Sequence, residues 1–130
     1  MTEPPRDAAY PCPACGHQMF GELWSHEICD ICYWEDDPFQ LRYPHADLGS
    51  NTGLTLIEAQ ANYQRFGAVH EDHKRRVRPP GPDEHLDPGW RPVDPERDPY
   101  ERTSSGTPHP DDLTTLYYWR PTYWRRHLAP

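Results

Sequence analysis

Two Cys-x-x-Cys pairs near the amino terminus constrain the fold of this chain more than any other feature. The first pair is Cys12 and Cys15, the second is Cys29 and Cys32, and residues 16–28 separate them. A two-residue spacer lets a tight turn present both sulfurs on one side. Two such turns can surround a single metal ion tetrahedrally, with each sulfur about 2.3 Å from it. The sequence therefore predicts that Cys12, Cys15, Cys29 and Cys32 ligate one metal ion.

The residues beside each pair indicate how the two turns are built. Pro13 presets φ inside the first turn, and Gly16, just after the second cysteine of that pair, lets the chain reverse where a side chain would clash. Tyr33 stands at the matching place in the second turn, so we expect the second turn to be the less regular one. There, Tyr33 and Trp34 are expected to cover the sulfurs from water.

Three roles for the cysteines compete. A structural metal site is the default, because two complete pairs are present. A redox dithiol would need one pair at the start of a helix beside a βαβ unit, and neither pair precedes a helical pattern. Structural disulfides are disfavoured because residues 1–9 lack the hydrophobic stretch of a secretory signal, which predicts a cytoplasmic location. We expect Zn2+ on base rates, while iron stays open because it accepts the same four thiolates.

Composition explains why such a site is needed. The 130 residues include 17 prolines, only 35% are hydrophobic, and the mean hydropathy is -1.04. A domain of this size buries only about 60–70% of its unfolded surface, so a metal site would replace part of a missing core. The net charge of -8 argues against nucleic-acid binding through global charge. No apolar run approaches the roughly 18 residues of a membrane span, so no membrane partner is expected.

One helix is predicted over residues 56–66. Thr55 and Glu58 fit a capping box, in which the hydroxyl and the carboxylate each accept a hydrogen bond from an unpaired backbone N–H group. Gly67 supplies the carboxyl-terminal stop. The apolar residues recur at spacings of three and four and form one stripe: Leu56, Ala59, Tyr63 and Phe66.

The chain changes character after residue 70. Residues 79–110 are rich in proline and poor in apolar anchors, so they are either disordered or draped over the first half. Residues 113–128 are rich in Tyr, Trp and Arg, which indicates a short strand or helix docked on the first half or, alternatively, a partner-binding segment. We therefore divide the chain into a metal-binding domain at 8–70 and, at 71–130, a Pro-rich extension that ends in this aromatic and arginine-rich segment.

Three other polar groups could carry chemistry, and each has a plainer interpretation. His70 and His73 could bind a second metal, but they follow a helix end, where cationic side chains are favoured anyway. Residues 35–37, Glu-Asp-Asp, could be catalytic carboxylates, but adjacent acids point in different directions, and we expect a solvated acidic lip. Residues 74–78 form a short basic run that could touch phosphate, although it lacks interleaved aromatics. Its plainer role is that of a charge partner for the acidic first half.

Taken together, several segments resemble a known family. They are residues 10–16 (YPCPACG), residues 27–37 (EICDICYWEDD), the Gln-Leu-Arg stretch at 40–42 and the capped helix. In this order, over about residues 9–78, they are similar to the bacterial cysteine-rich CPCC family. Where the family motif has a third cysteine, this chain has Ala14, so a third thiol is not required for a metal site here. The resemblance implies a zinc-ribbon-like module of small accessory proteins, some of them among toxin and immunity systems, and no catalytic residues can be carried over.

These observations predict a small α+β fold. In it, a zinc-ribbon-like pair of knuckles on short β-hairpins packs against one helix, and a Pro-rich C-terminal extension follows. The expected apolar layer consists of Tyr10, Phe20, Leu23, Trp24, Ile28, Ile31, Trp34, Leu56, Tyr63 and Phe66.

The expected function is that of a metal-stabilised protein-interaction module, such as an immunity protein or an adaptor. A basic protein is the expected partner, since acidic faces suit cationic surfaces. A nucleic-acid-binding zinc ribbon using residues 74–78 and 120–126 is the rival, although the first half carries the wrong sign of charge for it. A small enzyme is the third class, and it is disfavoured because nothing places a nucleophile beside a base. The oligomeric state is left open.

Overall fold

The computed structural model describes residues 10–129 and shows a small α+β fold. Two strands, β1 and β2, are followed by two α-helices, α1 and α2, and by three short 3-10 helices. In chain order the elements are β1 (Tyr10–Pro11), β2 (Gln18–Phe20), α1 (Pro38–Arg42), α2 (Leu56–Phe66) and the 3-10 helices Glu71–Arg76, Leu113–Leu116 and Arg126–Leu128. The predicted start of the metal-binding domain at residue 8 lies outside the described residues, and the division after residue 70 stays a prediction.

The first cysteine turn lies on a short β-hairpin. β1 and β2 pair antiparallel, with Tyr10 opposite Phe20 and a shift in register beside it. Around the second turn the ladder is reduced to a single antiparallel bridge between Ile28 and Glu35. The prediction of knuckles on short hairpins is therefore met in part: within the described residues there is a hairpin at the first turn and a single bridge at the second.

Helix α2 has the predicted bounds because its caps are local. Thr55 Oγ1 accepts a hydrogen bond from the Glu58 N–H at 3.0 Å, and Glu58 Oε1 accepts one from the Thr55 N–H at 3.0 Å. Gly67 ends the helix in the left-handed region at φ 78, and its N–H donates to the Tyr63 carbonyl. The prediction for residues 56–66 is confirmed.

Helix α1 was not predicted, because five residues carry too little periodicity to be recognised. Its start is nevertheless well specified: Asp37 accepts a hydrogen bond from the Phe39 N–H at 2.8 Å, and Pro38 occupies the first turn. Asp37 also accepts from the Ser50 N–H at 2.8 Å, which ties the helix to the connector that precedes α2. Burial of α1 against the core makes this short helix stable, because isolated helices of this length are not.

Both halves of the chain contribute side chains to one hydrophobic core. The first half provides Phe20, Ile31, Trp34 and Leu56, which are at most 1% exposed, and most of the predicted apolar layer lies there or packs against it. Ile28 is an error of that prediction, because it is 45% exposed. Cys29 faces the interior, and in the extended segment around the Ile28–Glu35 bridge neighbouring side chains point to opposite sides. Phe66 is only half-buried.

Residues 79–110 lie along the first half. The Trp90 indole donates a hydrogen bond to the Pro13 carbonyl at 3.1 Å, and the Val93 N–H donates to the Gln60 side-chain oxygen at 2.9 Å. Of the two alternatives for this stretch, the structure shows the draped one. Gln60 itself, a polar residue outside the predicted apolar stripe of α2, is only 2% exposed.

The aromatic segment near the carboxyl terminus docks on the same core. Tyr117, Tyr118, Trp119 and Tyr123 are each at most 7% exposed. The buried carboxylate of Asp87 accepts hydrogen bonds from the Trp119 indole at 2.7 Å and from the Arg120 guanidinium at 2.8 and 3.0 Å. The docked interpretation of this segment is confirmed, with short 3-10 helices in place of a strand.

A buried arginine on α1 connects that helix to the extension. The Arg42 side chain is 1% exposed, and its Nε donates to Glu101 at 2.9 Å. Its terminal nitrogens donate to the Thr107 carbonyl at 2.9 Å and to the Thr107 hydroxyl at 2.6 Å. The guanidinium also lies 5.0 Å from the centroid of the Trp124 ring. Because its charge and donors are satisfied, this arginine can be buried at low cost.

Candidate metal centre

The four cysteine sulfurs lie together in the interior. Cys12 Sγ is 3.5 Å from Cys32 Sγ, Cys15 Sγ is 3.8 Å from Cys29 Sγ, and all four sulfurs lie within 4.8 Å of one another. Each cysteine is at most 1% exposed. In a tetrahedral site with metal–sulfur distances of about 2.3 Å, neighbouring sulfurs are about 3.8 Å apart. The four cysteines can therefore hold a metal ion with only small movements.

The same distances exclude the disulfide alternative in this state. A disulfide joins its sulfurs at about 2.05 Å, and both measured separations are far longer. All four cysteines are free. The close contacts also cross between the two pairs, which is the pattern expected when two turns face one shared centre.

The two turns are built in the same way, which corrects the expectation that the second is less regular. In the first, the Cys12 N–H donates to the His17 carbonyl and the Gly16 N–H donates to the Cys12 carbonyl, at 2.8 and 2.7 Å. In the second, the Cys29 N–H donates to the Trp34 carbonyl at 2.9 Å and the Tyr33 N–H to the Cys29 carbonyl at 2.8 Å. The offsets along the chain are identical.

The fourth residue after the first cysteine takes a left-handed conformation in both turns. Gly16 has φ 85 and Tyr33 has φ 77. A side chain in this region costs about 1–2 kcal/mol, so the tyrosine is a strained choice for the position. The Tyr33 ring stacks on His73 with 4.3 Å between ring centroids, which offsets part of this cost. The second turn thus has the same backbone geometry as the first, although a tyrosine occupies the position that favours glycine.

The extension covers the first turn at Gly16. A β-carbon added there would lie 2.4 Å from Cδ2 of Trp90 and 2.8 Å from Cδ1 of Leu86. The predicted need for glycine at this position is therefore doubly supported, by φ and by close packing. Little in the sequence indicates that Trp90 packs on Gly16, because Trp90 stands out only as one of few apolar residues in a proline-rich stretch.

Burial and mutual proximity shape the electrostatics of the cluster. Burial raises the pKa of the Cys12 and Cys32 thiols well above the ordinary value, while hydrogen bonds from the three other thiols hold the pKa of Cys29 well below it. Four thiolates in one buried site repel each other strongly. A divalent cation is the partner that lets all of them ionise together.

The residues around the cluster exclude water. Trp34 and Ile31 are 0% exposed and belong to the same core cluster as the cysteines. Tyr33 is half-buried. Ala14, between the cysteines of the first pair, is also 0% exposed. Trp34 is thus buried in one cluster with the cysteines, and Tyr33 packs against that cluster.

The acidic lip predicted at residues 35–37 is wrong for two of its three members. Asp36 is 1% exposed and Asp37 is 6% exposed. Asp37 caps α1, and Asp36 accepts a hydrogen bond from the Trp24 N–H at 3.2 Å. Burial raises the pKa of Asp36 to about 7. Core packing, which no local pattern reveals, places Asp36 inside, whereas the Asp37–Pro38 pair is a helix-start signal that could have indicated the capping role of Asp37.

The histidine pair and the basic run take part in local contacts that differ from the roles expected of them. Within residues 10–129, the only group of three or more metal-ligating side chains is the cysteine cluster, so His70 and His73 form no second centre of that kind. His70 Nδ1 accepts from the Asp72 N–H and caps a 3-10 helix. Arg78 pairs with Glu84 of the extension at 2.5 and 2.7 Å, whereas the nearest acid of the first half, Asp30, is 4.0 Å away, so the expected pairing with the first half is weak.

The geometry of the two turns agrees with the comparison with known proteins. A model of the cysteine-rich CPCC family matches residues 10–84, which is more than half of the chain. The chain belongs to the cysteine-rich CPCC family. The CPCC match contains both cysteine pairs and both α-helices, and it ends before Trp90. No curated protein and no solved structure gives a significant match.

The described part of this CPCC protein has no helix of the length and apolarity needed to cross a membrane. Its longest helix, α2, has 11 residues and an exposed polar side.

Proposed function

We propose that this CPCC protein is a metal-stabilised protein-interaction module whose four cysteines hold one zinc ion. The observation that carries the proposal is the burial of four sulfurs within 4.8 Å of one another. Catalytic zinc sites keep one position open for water or substrate, whereas four thiolates fill the coordination shell. The ion in such a closed site supports the fold and takes no part in chemistry.

Zinc is proposed over iron on base rates. Four thiolates accept either ion, but closed four-cysteine sites with this spacing are typical of structural zinc. The test is elemental analysis of the protein purified from its own host without added metal. One zinc per chain is expected, and one iron per chain, with the absorption bands of an iron–thiolate centre, would overturn the choice of ion.

The proposed protein-interaction role rests on the outer surface of the protein, because a closed metal site offers no position for a substrate. With the metal enclosed, recognition falls to the outer surface, and the net charge of -8 favours a basic partner. Immunity or adaptor function in a bacterial cytoplasm is part of the proposal and follows from the family resemblance. Four free cysteines are compatible with a reducing compartment.

Native mass spectrometry of the protein tagged in its own host tests the interaction role. The expected spectrum contains the chain, one zinc ion and one stoichiometric basic protein. Charge complementarity predicts that the affinity for this partner falls steeply as the salt concentration rises. An affinity independent of salt would contradict the electrostatic basis of the proposal.

Nucleic-acid binding is the weaker candidate, because two of the basic side chains it would use are paired with acids of this chain and the net charge is -8. Arg78 pairs with Glu84, and Arg120 pairs with the buried carboxylate of Asp87. An electrophoretic shift assay with single-stranded DNA and RNA discriminates between the two functions. We expect no shifted protein–nucleic-acid complex at about 150 mM salt. A shifted complex whose log binding constant falls steeply with log salt concentration would favour nucleic-acid binding instead.

A further inference from the structure

An open cavity lies beside the second cysteine turn. It has a volume of 440 Å³ and is formed by the second turn, by the connector at residues 50–54 and by residues 69–73. Ligand sites in proteins span about 300–1,000 Å³, so the cavity is large enough for a long side chain or a small molecule. The metal cluster does not use it.

One part of the cavity wall is apolar. Ile28, Tyr33, Leu54 and Val69 line it. Ile28 is 45% exposed, and it lies opposite Glu35 in the isolated antiparallel bridge. An exposed isoleucine at the cavity mouth offers a contact surface for the aliphatic part of a ligand.

Glu35 places a carboxylate in the same cavity. Its backbone is held on both sides by Asn51, which accepts from the Glu35 N–H at 2.9 Å and donates to the Glu35 carbonyl at 2.8 Å. Within residues 10–129, the only ion pair of the carboxylate is with Nδ1 of His26 at 3.7 Å, and the His26 side chain is 63% exposed. The carboxylate is thus positioned by a well-ordered backbone without being neutralised by a close partner.

His73 adds a second group that lacks a partner. Its Nδ1 is buried and has no hydrogen-bond partner within the described part of the chain, while its ring is stacked on Tyr33. Burial and the neighbouring charges of His70 and Arg76 lower the pKa of His73, which favours the neutral ring. A neutral ring places no positive charge beside the cavity, so it does not oppose a bound cation.

We propose that this cavity binds a cation on an aliphatic stem, namely an arginine or lysine side chain of the basic partner, with Glu35 as its counter-ion. This inference rests on the proposed interaction function and names the chemistry that the partner presents. The stem lies on Ile28 and Leu54, and the cationic head donates hydrogen bonds to the carboxylate of Glu35. Arg76, 5.8 Å from the Tyr33 ring centroid, opposes the incoming charge. A single side chain should therefore bind only in the millimolar range.

The test is a two-dimensional amide NMR titration of the full metal-loaded chain. The probe is N-acetyl-arginine N-methylamide, and the matched control probe is the citrulline analogue, which has nearly the same shape but no charge. The arginine probe should shift the amides of residues 28, 35, 50–54 and 69–73 in a saturable way. The citrulline probe should bind at least tenfold more weakly. Equal binding of the two probes, or shifts elsewhere on the protein, would overturn the cation site.

Two charge-matched variants test the role of Glu35. Glu35→Gln should weaken binding of the arginine probe at least tenfold, while Glu96→Gln should leave it unchanged. Both remove one negative charge, but Glu96 is exposed and does not line the cavity. An unchanged affinity in Glu35→Gln would overturn the proposal. If that variant does not fold, the comparison of arginine and citrulline on the unmodified protein still decides.

Further arms separate the source of the cation and the two proposals. A capped arginine that binds more tightly than free arginine supports a protein side chain, and equal affinities would overturn the assignment to a partner protein. Zinc content is measured on every sample. If the protein holds one zinc ion per chain but does not bind arginine, the cavity proposal alone is wrong. If the zinc ion is missing, or if the affinity for the partner protein does not depend on salt, the proposed function is contradicted and the role of Glu35 is not affected.

Discussion

Replacing Gly16 with alanine tests whether the extension presses on the first cysteine turn. Two costs add. At φ 85 a β-carbon is strained by about 1–2 kcal/mol, and overpacking against Trp90 at 2.4 Å and Leu86 at 2.8 Å adds about 1–3 kcal/mol. We therefore expect Gly16→Ala to lower the free energy of unfolding by about 2–5 kcal/mol.

The matched control is Gly106→Ala. Gly106 has φ 74, and a β-carbon there would meet nothing within 4 Å, so this variant carries the strain without the clash. Urea unfolding of the zinc-loaded proteins, followed by circular dichroism, measures both. In a Trp90→Ala background the cost of Gly16→Ala should fall towards that of Gly106→Ala, since the closest clashing ring is gone. Equal costs for the two glycine variants in the unmodified background would refute the packing of Trp90 on the turn.

Three further predictions concern the core and the cysteines. Cys29→Ser should lose the metal ion and most of the fold, because binding and folding are coupled, and a variant that stays cooperative without metal would contradict this. Trp34→Ala should cost about 3–5 kcal/mol, because the side chain is 0% exposed, and an unchanged thermal midpoint would show that it does not pack. Asp36 has a pKa of about 7 in the folded protein and 3.8 as the ordinary value. The folded state therefore binds more protons between these values, so the contribution of Asp36 to stability falls as pH rises from about 4 to about 7. Asp36→Asn should be more stable than the parent by about 1–3 kcal/mol at pH 8 and lose this advantage towards pH 5, and equal unfolding midpoints at both pH values would exclude a buried titrating carboxylate.

Local signals account for the features that could be predicted. The capping box and Gly67 define α2 through hydrogen bonds that span only a few residues, and the structure reproduces its bounds. The first cysteine pair likewise marks its turn through Pro13 and Gly16. These signals survive in any tertiary context, because the groups that interact are close neighbours in the chain.

The errors arise where a residue's partner is distant in sequence. Gln60 looks like a surface residue of α2, yet it donates to the Pro13 carbonyl and the Tyr118 hydroxyl at 3.0 and 2.9 Å. Asp36 looks like part of a charged lip, yet it is enclosed by the core. In both cases the amino-acid type suggests solvent, and only the packing of segments far apart in the chain supplies the burial or the hydrogen-bond partners.

By itself, the sequence determined the four candidate ligands, the capped helix and membership of the CPCC family, since each depends on short-range spacing. Only the tertiary structure decided that Tyr33 adopts the same left-handed conformation as Gly16, because the turn pattern of hydrogen bonds outweighs the strain of one side chain. It also decided where the extension lies. Few apolar anchors such as Trp90 and Tyr118 hold that segment, and their binding sites are assembled from residues of both halves, so no local pattern could reveal them.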